Sequence, residues 1–332
     1  MNIKPITGTW FEFTHHSTVE GIYWNETCRA FTEMQWREKI REIAAAGMKY
    51  IVLMATSLVD DHRAEAYFKT DIFPFAENFV CEDPIEALLS EADVHGLHVF
   101  LSVGFYGCWF YPMTNMTSPE VTARGFKAME QLCVLYAHHP SFYGWYFPDE
   151  TCVERHFHPE FINYCNRYSG FARSLDGRFR TLIAPYGTNM LCADDNFVRQ
   201  LDALDVDIIA YQDEVGVQKS TPQQTGAYYA ALRSAHDRSG RSALWADLEI
   251  FDFEGEVYKS ALIPAKFSRV KQQLEAISEH CDQILCYQYL GLMNTLASTA
   301  FCGHKDSTKL FLDYQQYQKN NGDEDHAKNK IY

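Results

Sequence analysis

The feature that most constrains the fold is an eightfold alternation of short apolar, β-rich runs with amphipathic helical patterns. The strand-like runs are mostly apolar throughout, which predicts strands buried on both faces of a parallel sheet that helices cover. Eight such units in 332 residues predict a single-domain (β/α)8 barrel, the TIM-barrel fold. The alternative is a doubly wound open sheet. It would carry a glycine-rich turn after its first strand, and the segment TWFEFTHHST has none.

Turn and capping residues delimit the predicted elements. The predicted strands are residues 6–13, 49–56, 97–104, 144–147, 180–186, 207–213, 243–251 and 283–289. Helices are predicted to begin at Thr32, Asp83, Ser118 and His158, and the last three of these residues are followed directly by proline. A polar segment, 318–332, predicts a disordered C-terminal tail, so the barrel domain is expected to span 1–317.

The composition limits the classes of ligand that such a barrel can bind. The formal net charge of −15 opposes binding to nucleic acid or to an anionic membrane surface, because both require basic patches. Aromatic residues make up 15% of the chain, which favours a carbohydrate or another ligand that stacks on rings. No cofactor motif is present, and no apolar stretch approaches the ~20 residues of a membrane-spanning helix. The oligomeric state is left open.

Cysteine usage and the N-terminal pattern bear on the cellular location. Ten cysteines without a C-x-x-C pair indicate reduced, mostly buried thiols rather than a disulfide framework. The N-terminus enters a strand pattern almost at once and shows no signal-peptide pattern. Together these observations predict a cytoplasmic location.

Carboxylates and aromatic rings gather at the predicted C-terminal ends of the strands, the face that carries the active site in a (β/α)8 barrel. Asp247 and Glu249 lie two residues apart in the seventh strand and therefore on one face. Glu249 interrupts an otherwise apolar strand, where an acid needs a partner or a chemical role. The residues expected to form a ligand site at this face are Trp10, Glu12, Tyr106, Asp149, Glu150, Tyr186, Tyr211, Gln212, Asp213, Trp245, Glu249 and Tyr287.

Two carboxyl groups across a pocket, one protonated and one ionised, are what cleavage of a glycosidic bond requires. One supplies a proton to the leaving oxygen, and the other acts as a nucleophile or activates water. Glu150 and Glu249 resemble the catalytic pair of the large superfamily of retaining glycosidases. That superfamily carries its acid/base at the end of strand four and its nucleophile at the end of strand seven. It usually has asparagine directly before the acid/base, where this chain has Asp149.

Four segments are also similar to a bacterial family of barrel domains of unestablished function that is considered glycosidase-like. The segments are ITGTW, GWYFPDE, AYQDEVG and WADLEIF, and the similarity extends from Ile6 to Tyr289. This resemblance implies a barrel and sugar-directed chemistry without indicating which sugar. Asp213 falls in the family-like segment YQD, whereas Glu214 stands where a small residue is expected, so Asp213 is favoured as a third acid.

The expected activity is therefore that of a retaining glycosidase, with Glu150 as acid/base and Glu249 as nucleophile. Two alternatives stay open. One is a non-catalytic carbohydrate-binding barrel, which Asp149 in place of asparagine favours, and the other is an inverting glycosidase with Asp213 or Glu214 as base. Burial and the charge of Glu249 are expected to raise the pKa of Glu150. Glu249 is expected to stay ionised if Tyr or Gln donors from strands six and eight reach it.

The 13 histidines do not form the pattern that a metallohydrolase barrel uses. Such a barrel would carry H-x-H on its first strand and further histidines on strands five and six, which have none. His15 and His16 are adjacent and would point apart in an extended chain. No catalytic metal is predicted.

Overall fold

The computed structural model describes residues 3–328. The strands within these residues are β1 (Gly8–Phe11), β2 (Tyr50–Leu53), β3 (Ser57–Val59), β4 (Ala64–Ala66), β5 (His98–Ser102), β6 (Phe142–Phe147), β7 (Arg180–Ile183), β8 (Ile208–Gln212), β9 (Ala243–Glu249), β10 (Phe251–Phe253), β11 (Leu262–Pro264) and β12 (Gln283–Tyr287). The helices in the same range are α1 (Asn25–Arg29), α2 (Glu33–Ala45), α3 (Pro84–His95), α4 (Pro112–Thr117), α5 (Pro119–Tyr136), α6 (Pro159–Leu175), α7 (Asp195–Ala203), α8 (Pro222–Ser239), α9 (Phe267–Ile277) and α10 (Ser307–Lys328).

Eight of the strands form one closed sheet. Around the barrel their order is β1–β12–β9–β8–β7–β6–β5–β2, and every neighbouring pair is parallel. The predicted (β/α)8 barrel is therefore confirmed, and the doubly wound open sheet is excluded because the sheet has no free edge. In barrel order β6 is the fourth strand and β9 is the seventh, so Glu150 follows the fourth strand and Glu249 ends the seventh.

Local sequence determines where the helices begin. Thr32 and Gln35 form a reciprocal capping box at the start of α2. The Asp83 carboxylate accepts the backbone N–H of Glu86 at the start of α3, and the proline that follows Asp83 occupies the first turn. Helix α3 ends at Gly96, whose φ of +64° is a left-handed conformation that glycine adopts without strain. These boundaries agree with the prediction because caps are set by neighbouring residues.

Alternation along each strand divides the core into two layers. On β6 the ring of Tyr146 faces the inside of the barrel, whereas Trp145 and Phe147 pack outward against the helical layer. The cluster inside the barrel also contains Trp10 and Trp245. A shift of one residue along a strand therefore decides between the barrel interior and the helix interface.

Two antiparallel hairpins extend the barrel beyond its strands. The hairpin β3–β4 follows β2, and β10–β11 follows β9. The predicted seventh strand, 243–251, is longer than the observed one, because the chain leaves the barrel after Glu249 and Phe251 pairs with Pro264 in the second hairpin. The sequence of residues 243–251 continues the strand pattern past Glu249, so it gives no sign of this change of direction.

The last helix, α10, continues through the predicted domain boundary at residue 317. The side-chain amide of Gln318 donates hydrogen bonds to the carbonyl oxygen of Ala46 and to the hydroxyl of Tyr314. The segment 318–328, predicted to be a disordered tail, is part of this helix, and residues 329–332 lie outside the described residues. Across residues 3–328, no helix is long and apolar enough to cross a membrane.

Candidate active site

A cavity of about 540 Å³ opens at the C-terminal face of the barrel. It is the size of a small-ligand site, and its walls combine aromatic rings with acids. The acids that line it are Glu20, Glu150, Glu214, Asp247 and Glu249. The aromatic residues that line it are Trp10, His15, His16, Phe105, Trp109, Phe110, Tyr146, Tyr186, Phe251, Phe253, Tyr258 and Tyr287. The predicted acid pair therefore shares one cavity with ring systems that a sugar could contact.

Glu150 accepts two hydrogen bonds, one from its own strand, β6, and one from β8. The hydroxyl of Tyr146 donates to its Oε1 at 2.7 Å, and the side-chain amide of Gln212 donates to its Oε2 at 2.7 Å. Burial raises the pKa of Glu150 to about 8, the two hydrogen bonds oppose this shift, and the charge of Asp149 adds to it. Glu150 is therefore an oriented carboxyl group that keeps its proton near neutral pH.

Glu249 is the last residue of β9 and is buried. Its Oε2 accepts the backbone N–H of Val217 at 2.8 Å. A Cβ atom at Gly216 would lie 2.8 Å from the carbonyl oxygen of Phe251, so glycine allows the loop to approach this closely. Burial is the largest of the causes that raise the pKa of Glu249 to about 8, and the charges of Asp213 and Glu214 add to it.

The two glutamates are therefore electrostatically alike in the folded protein. The pKa of Glu150 is raised as expected, but that of Glu249 is raised too. Glu249 was expected to stay ionised if Tyr or Gln donors from strands six and eight reached it, and among the described residues none of them donates to its carboxylate. Gln212, on the sixth barrel strand, donates to Glu150 instead, because a strand position specifies a neighbourhood and not the acceptor that a long amide side chain reaches.

Asp247 lies two residues before Glu249 and faces the same cavity. Its side chain is 3% exposed, and among the described residues it accepts no hydrogen bond, with Oδ1 fully enclosed. Burial raises its pKa well above the ordinary value, and the charges of Glu249, Asp213 and Glu150 add to this effect. Asp247 is therefore an unpartnered acid close to both catalytic candidates.

The positions of Asp213 and Glu214 reverse the expectation about the third acid. Asp213 does not line the cavity. Its carboxylate accepts the amide of Gln273 on α9 at 2.6 Å and the backbone N–H of Glu249 at 3.1 Å. Glu214 lines the cavity from a left-handed backbone conformation with φ of +55°, and its Oε1 lies 3.5 Å from Nζ of Lys219. Strand β8 ends at Gln212, so alternation no longer predicts where these acids point.

Three of the predicted aromatic residues, Trp10, Tyr186 and Tyr287, line the cavity. Three others do not. Tyr211 lies under α8, where its hydroxyl is 3.1 Å from Nε2 of a histidine on that helix, and Tyr106 is buried with its hydroxyl 3.1 Å from Thr56. Trp245 fills the opposite end of the barrel interior, with its ring centroid 4.7 Å from that of Tyr50. These three rings belong to the packed core instead of the expected ligand site.

Glu12 and Asp149 support the cavity wall from behind. Glu12 accepts the indole N–H of Trp24 at 3.1 Å and the amide of Gln288 at 2.7 Å. Asp149 accepts the amide of Asn115 at 2.7 Å. Burial raises the pKa of both acids to about 7. Neither lines the cavity, so the expected direct contact with a ligand is replaced by a supporting position.

Glu12, His15 and His16 bring potential metal-ligand atoms within 4.8 Å of one another. The two imidazole rings stack with centroids 4.3 Å apart, so they do not point apart as predicted for an extended chain. Nδ1 of His15 lies 3.0 Å from the backbone nitrogen of Ser17 and 3.1 Å from its carbonyl oxygen, so it accepts from the first or donates to the second according to the tautomer. Burial lowers the pKa of His15 to about 3, so the ring is neutral. That this protein uses no catalytic metal stays a prediction.

Several cavity residues come from loops that the strand pattern does not describe. His15, Glu20, Trp109 and Lys219 follow barrel strands at variable distances, and Phe251 belongs to the unforeseen hairpin β10–β11. Their only signal in the sequence is membership of a loop that follows the C-terminal end of a strand. That signal predicts the correct face of the barrel but not the direction of a side chain.

Solved structures share this fold. The chain matches a protein of Bacteroides thetaiotaomicron provisionally described as an alpha-L-fucosidase, with a TM-score of 0.74 and 15% identity over 95% of this chain and 94% of that one. It matches the endo-beta-1,4-mannanase of Thermotoga petrophila with a TM-score of 0.57 and 9% identity, over 95% of this chain and 77% of that one. It matches the endo-1,4-beta-mannanase of Rhizomucor miehei with a TM-score of 0.56 and 9% identity, over 96% of this chain and 95% of that one. At these identities the likeness concerns the fold alone.

Sequence comparison gives a narrower result. No curated protein matches the chain at a significant level. A family model matches residues 6–299, and the chain therefore belongs to the family DUF4434, described as a domain of unknown function.

Proposed function

We propose that this protein is a retaining glycoside hydrolase, with Glu150 as the general acid/base and Glu249 as the nucleophile. The observation that carries the proposal is that these two acids lie at the C-terminal ends of the fourth and seventh strands of the barrel and line one aromatic-walled cavity. The fold is also shared with glycoside hydrolases, which supports sugar-directed chemistry without identifying a sugar.

The first step transfers the glycosyl group to the enzyme. Glu150, protonated because burial raises its pKa, donates its proton to the glycosidic oxygen as the bond from that oxygen to the anomeric carbon breaks. The Glu249 carboxylate forms a bond to the same carbon, and the leaving group departs as an alcohol. Tyr146 and Gln212 keep the Glu150 carboxyl in one orientation during this transfer.

The second step releases the sugar. Ionised Glu150 removes a proton from water, whose oxygen attacks the anomeric carbon and displaces the Glu249 carboxylate. Both residues then return to their starting protonation states, and two inversions give net retention. The backbone N–H of Val217 stabilises the carboxylate that is regenerated on Glu249.

An inverting enzyme is the second candidate, because Glu214 lines the same cavity and could activate water. Inversion requires room for that water, with about 6.5–9.5 Å between carboxyl groups, whereas retention requires about 5–5.5 Å. Proton NMR of the first product anomer distinguishes the two. A product with the substrate's anomeric configuration supports Glu249 as nucleophile, and the opposite anomer supports Glu214 as base.

The test of the catalytic pair uses 4-nitrophenyl and 2,4-dinitrophenyl glycosides covering several sugars and both anomers. The Glu150→Ala variant should still transfer the glycosyl group to the enzyme when 2,4-dinitrophenolate, the better leaving group, departs, and azide should restore its turnover. Glu249→Ala should abolish turnover. Glu120→Ala is the matched control, since that side chain is 74% exposed on α5. If both cavity variants keep wild-type activity, the catalytic pair is elsewhere. If the wild type binds sugars but cleaves no glycoside, the protein is a carbohydrate-binding barrel.

The proposal includes a bacterial source and a cytoplasmic location. All ten cysteines carry free thiols, which supports a reducing compartment. Fractionation of the host bacterium with an antibody against the native protein tests the location. Recovery with cytoplasmic markers is expected, and recovery from the periplasm or the medium would contradict it.

A further inference from the structure

The cavity contains more acids than glycoside hydrolysis requires. Five carboxyl groups line it, with one ammonium group, that of Lys219, which lies 3.5 Å from Glu214. Setting aside that pair and the two catalytic candidates leaves Glu20 and Asp247. Glu20 has a neighbour of its own, since its carboxylate lies 3.8 Å from Nε2 of His15. Asp247 is the acid without an assigned partner.

Asp247 lines the cavity as a buried acid to which none of the described residues donates a hydrogen bond, which is the state expected of a group that binds a ligand. Its side chain is 3% exposed and accepts no hydrogen bond from residues 3–328, yet it lines the cavity. By contrast, the equally buried Asp213 is satisfied by the Gln273 amide and two backbone N–H groups. A buried carboxyl group without a donor is unfavourable, and a donor that arrives with a ligand removes this cost.

The surroundings of Asp247 favour a positively charged donor. The rings of Trp10, Tyr146 and Tyr287 line the same cavity, and the faces of aromatic rings attract cations. Electrostatic interaction with Asp247 is one of the causes that raise the pKa of the Tyr146 and Tyr287 hydroxyls. An unpartnered acid in a cavity with aromatic walls is a setting that stabilises an ammonium group.

We propose that Asp247 binds a protonated amine of the substrate, so that the preferred substrates are glycosides of sugars with a free amino group. This inference rests on the proposed function, because it names the substrate class of the same site. An acetylated amine carries no charge, and the carboxylate of an acidic sugar would repel the carboxylate of Asp247 instead of pairing with it. Both kinds of sugar should therefore bind less well than the free amine.

The kinetic test compares matched 4-nitrophenyl glycosides that carry an amine, an acetamide or a hydroxyl at carbon 2 or carbon 6, in gluco and galacto configurations. At about pH 7 the free amine should give a kcat/KM at least roughly tenfold above its hydroxyl partner, as a charged hydrogen bond allows. Asp247→Asn should reduce this ratio to near one, mainly through KM. Asp195→Asn, at a side chain that is 80% exposed, is the matched control and should leave the ratio unchanged.

A binding measurement separates this inference from the proposed function. Isothermal titration with β-1,4-linked glucosamine oligosaccharides, and with their N-acetylated counterparts, does not depend on turnover. Binding of the free amines that Asp247→Asn weakens at least tenfold supports the inference even if no glycoside is cleaved. If the wild type hydrolyses hydroxyl or acetamido glycosides as well as amino glycosides, the inference is overturned while the proposed function stands. This comparison needs no variant, so a misfolded Asp247→Asn protein would not prevent it.

Discussion

The side-chain amide of Gln212 links Glu150 to the barrel wall, donating to its carboxyl at 2.7 Å and to the carbonyl oxygen of Ala184 at 2.9 Å. Glu150 follows β6, Ala184 follows β7, and Gln212 ends β8, so one amide joins three adjacent strands. Because Gln212 comes from a different strand, the orientation of the proposed acid depends on barrel closure. The hydrogen bond also favours the ionised form of Glu150 and thus limits how far burial raises its pKa.

Gln212→Ala should lower kcat by about tenfold or more, because it removes a hydrogen bond that orients the acid. The same change should move the alkaline limb of the pH–rate profile upward, since the pKa of Glu150 rises when the amide is lost. Gln223→Ala is the control, because that amide bonds the Gln272 side chain on the exterior at 3.0 Å. An unchanged alkaline limb in Gln212→Ala would mean that this limb does not report Glu150.

The pH–rate profile of the wild type should have its maximum near pH 8, not in the acidic range. Glu249 must lose its proton and Glu150 must keep its own, and burial raises the pKa of each to about 8. Below the maximum, kcat/KM for a neutral aryl glycoside should fall about tenfold per pH unit as Glu249 is protonated. An optimum near pH 5 would contradict the raised pKa of Glu249. Because the two acids share one cavity, the apparent pKa values read from the two limbs of the profile describe the pair and not either glutamate alone.

The free energy of unfolding should decrease as the pH rises from about 7 to 8.5. Glu150 and Glu249 have pKa values of about 8 in the folded chain and ordinary, lower values when unfolded, so the folded state binds more protons in this window. Their favourable contribution is complete at low pH and is lost as the pH passes through 8. Buried histidines such as His15 and His236, with pKa values lowered to about 3 and about 4, are neutral in both states here.

Urea unfolding at several pH values across this range measures the effect. Each retained proton contributes a slope of about 1.4 kcal/mol per pH unit. Glu249→Gln removes one titrating group, so it should reduce the slope and raise stability at the alkaline end relative to the wild type. Glu120→Gln, at an exposed position, serves as the control. Equal slopes for Glu249→Gln and the wild type would show that Glu249 does not titrate as proposed.

Asp213→Ala should cost about 3 kcal/mol of stability, because it leaves the Gln273 amide and two buried backbone N–H groups without their acceptor. It should also lower activity, since one of those N–H groups belongs to Glu249. Glu214→Ala is the informative comparison, as it removes the neighbouring acid that faces the cavity and should cost less stability. Thermal and urea unfolding of both variants measure the difference. A larger loss in Glu214→Ala would reverse the roles assigned here.

Much of the fold was determined by the sequence itself, because the interactions responsible are local. Thr32, Asp83 and Gly96 set helix ends through contacts within a few residues. Eight apolar strands could bury both faces only in a parallel sheet covered by helices, and the closed barrel followed from their number. Glu150 and Glu249 were found because a barrel collects the C-terminal ends of its strands at one face.

Only the tertiary structure decided which side chains reach the cavity. Tyr211 and Gln212 are adjacent, yet one packs under α8 and the other holds Glu150. Asp213 and Glu214 are adjacent too, yet the first bonds α9 and the second faces the cavity. The alternation of a strand ends with the strand. Beyond it, the direction of a side chain depends on partners that are distant in the chain, such as a helix amide or an approaching loop, and these become neighbours only when the barrel closes.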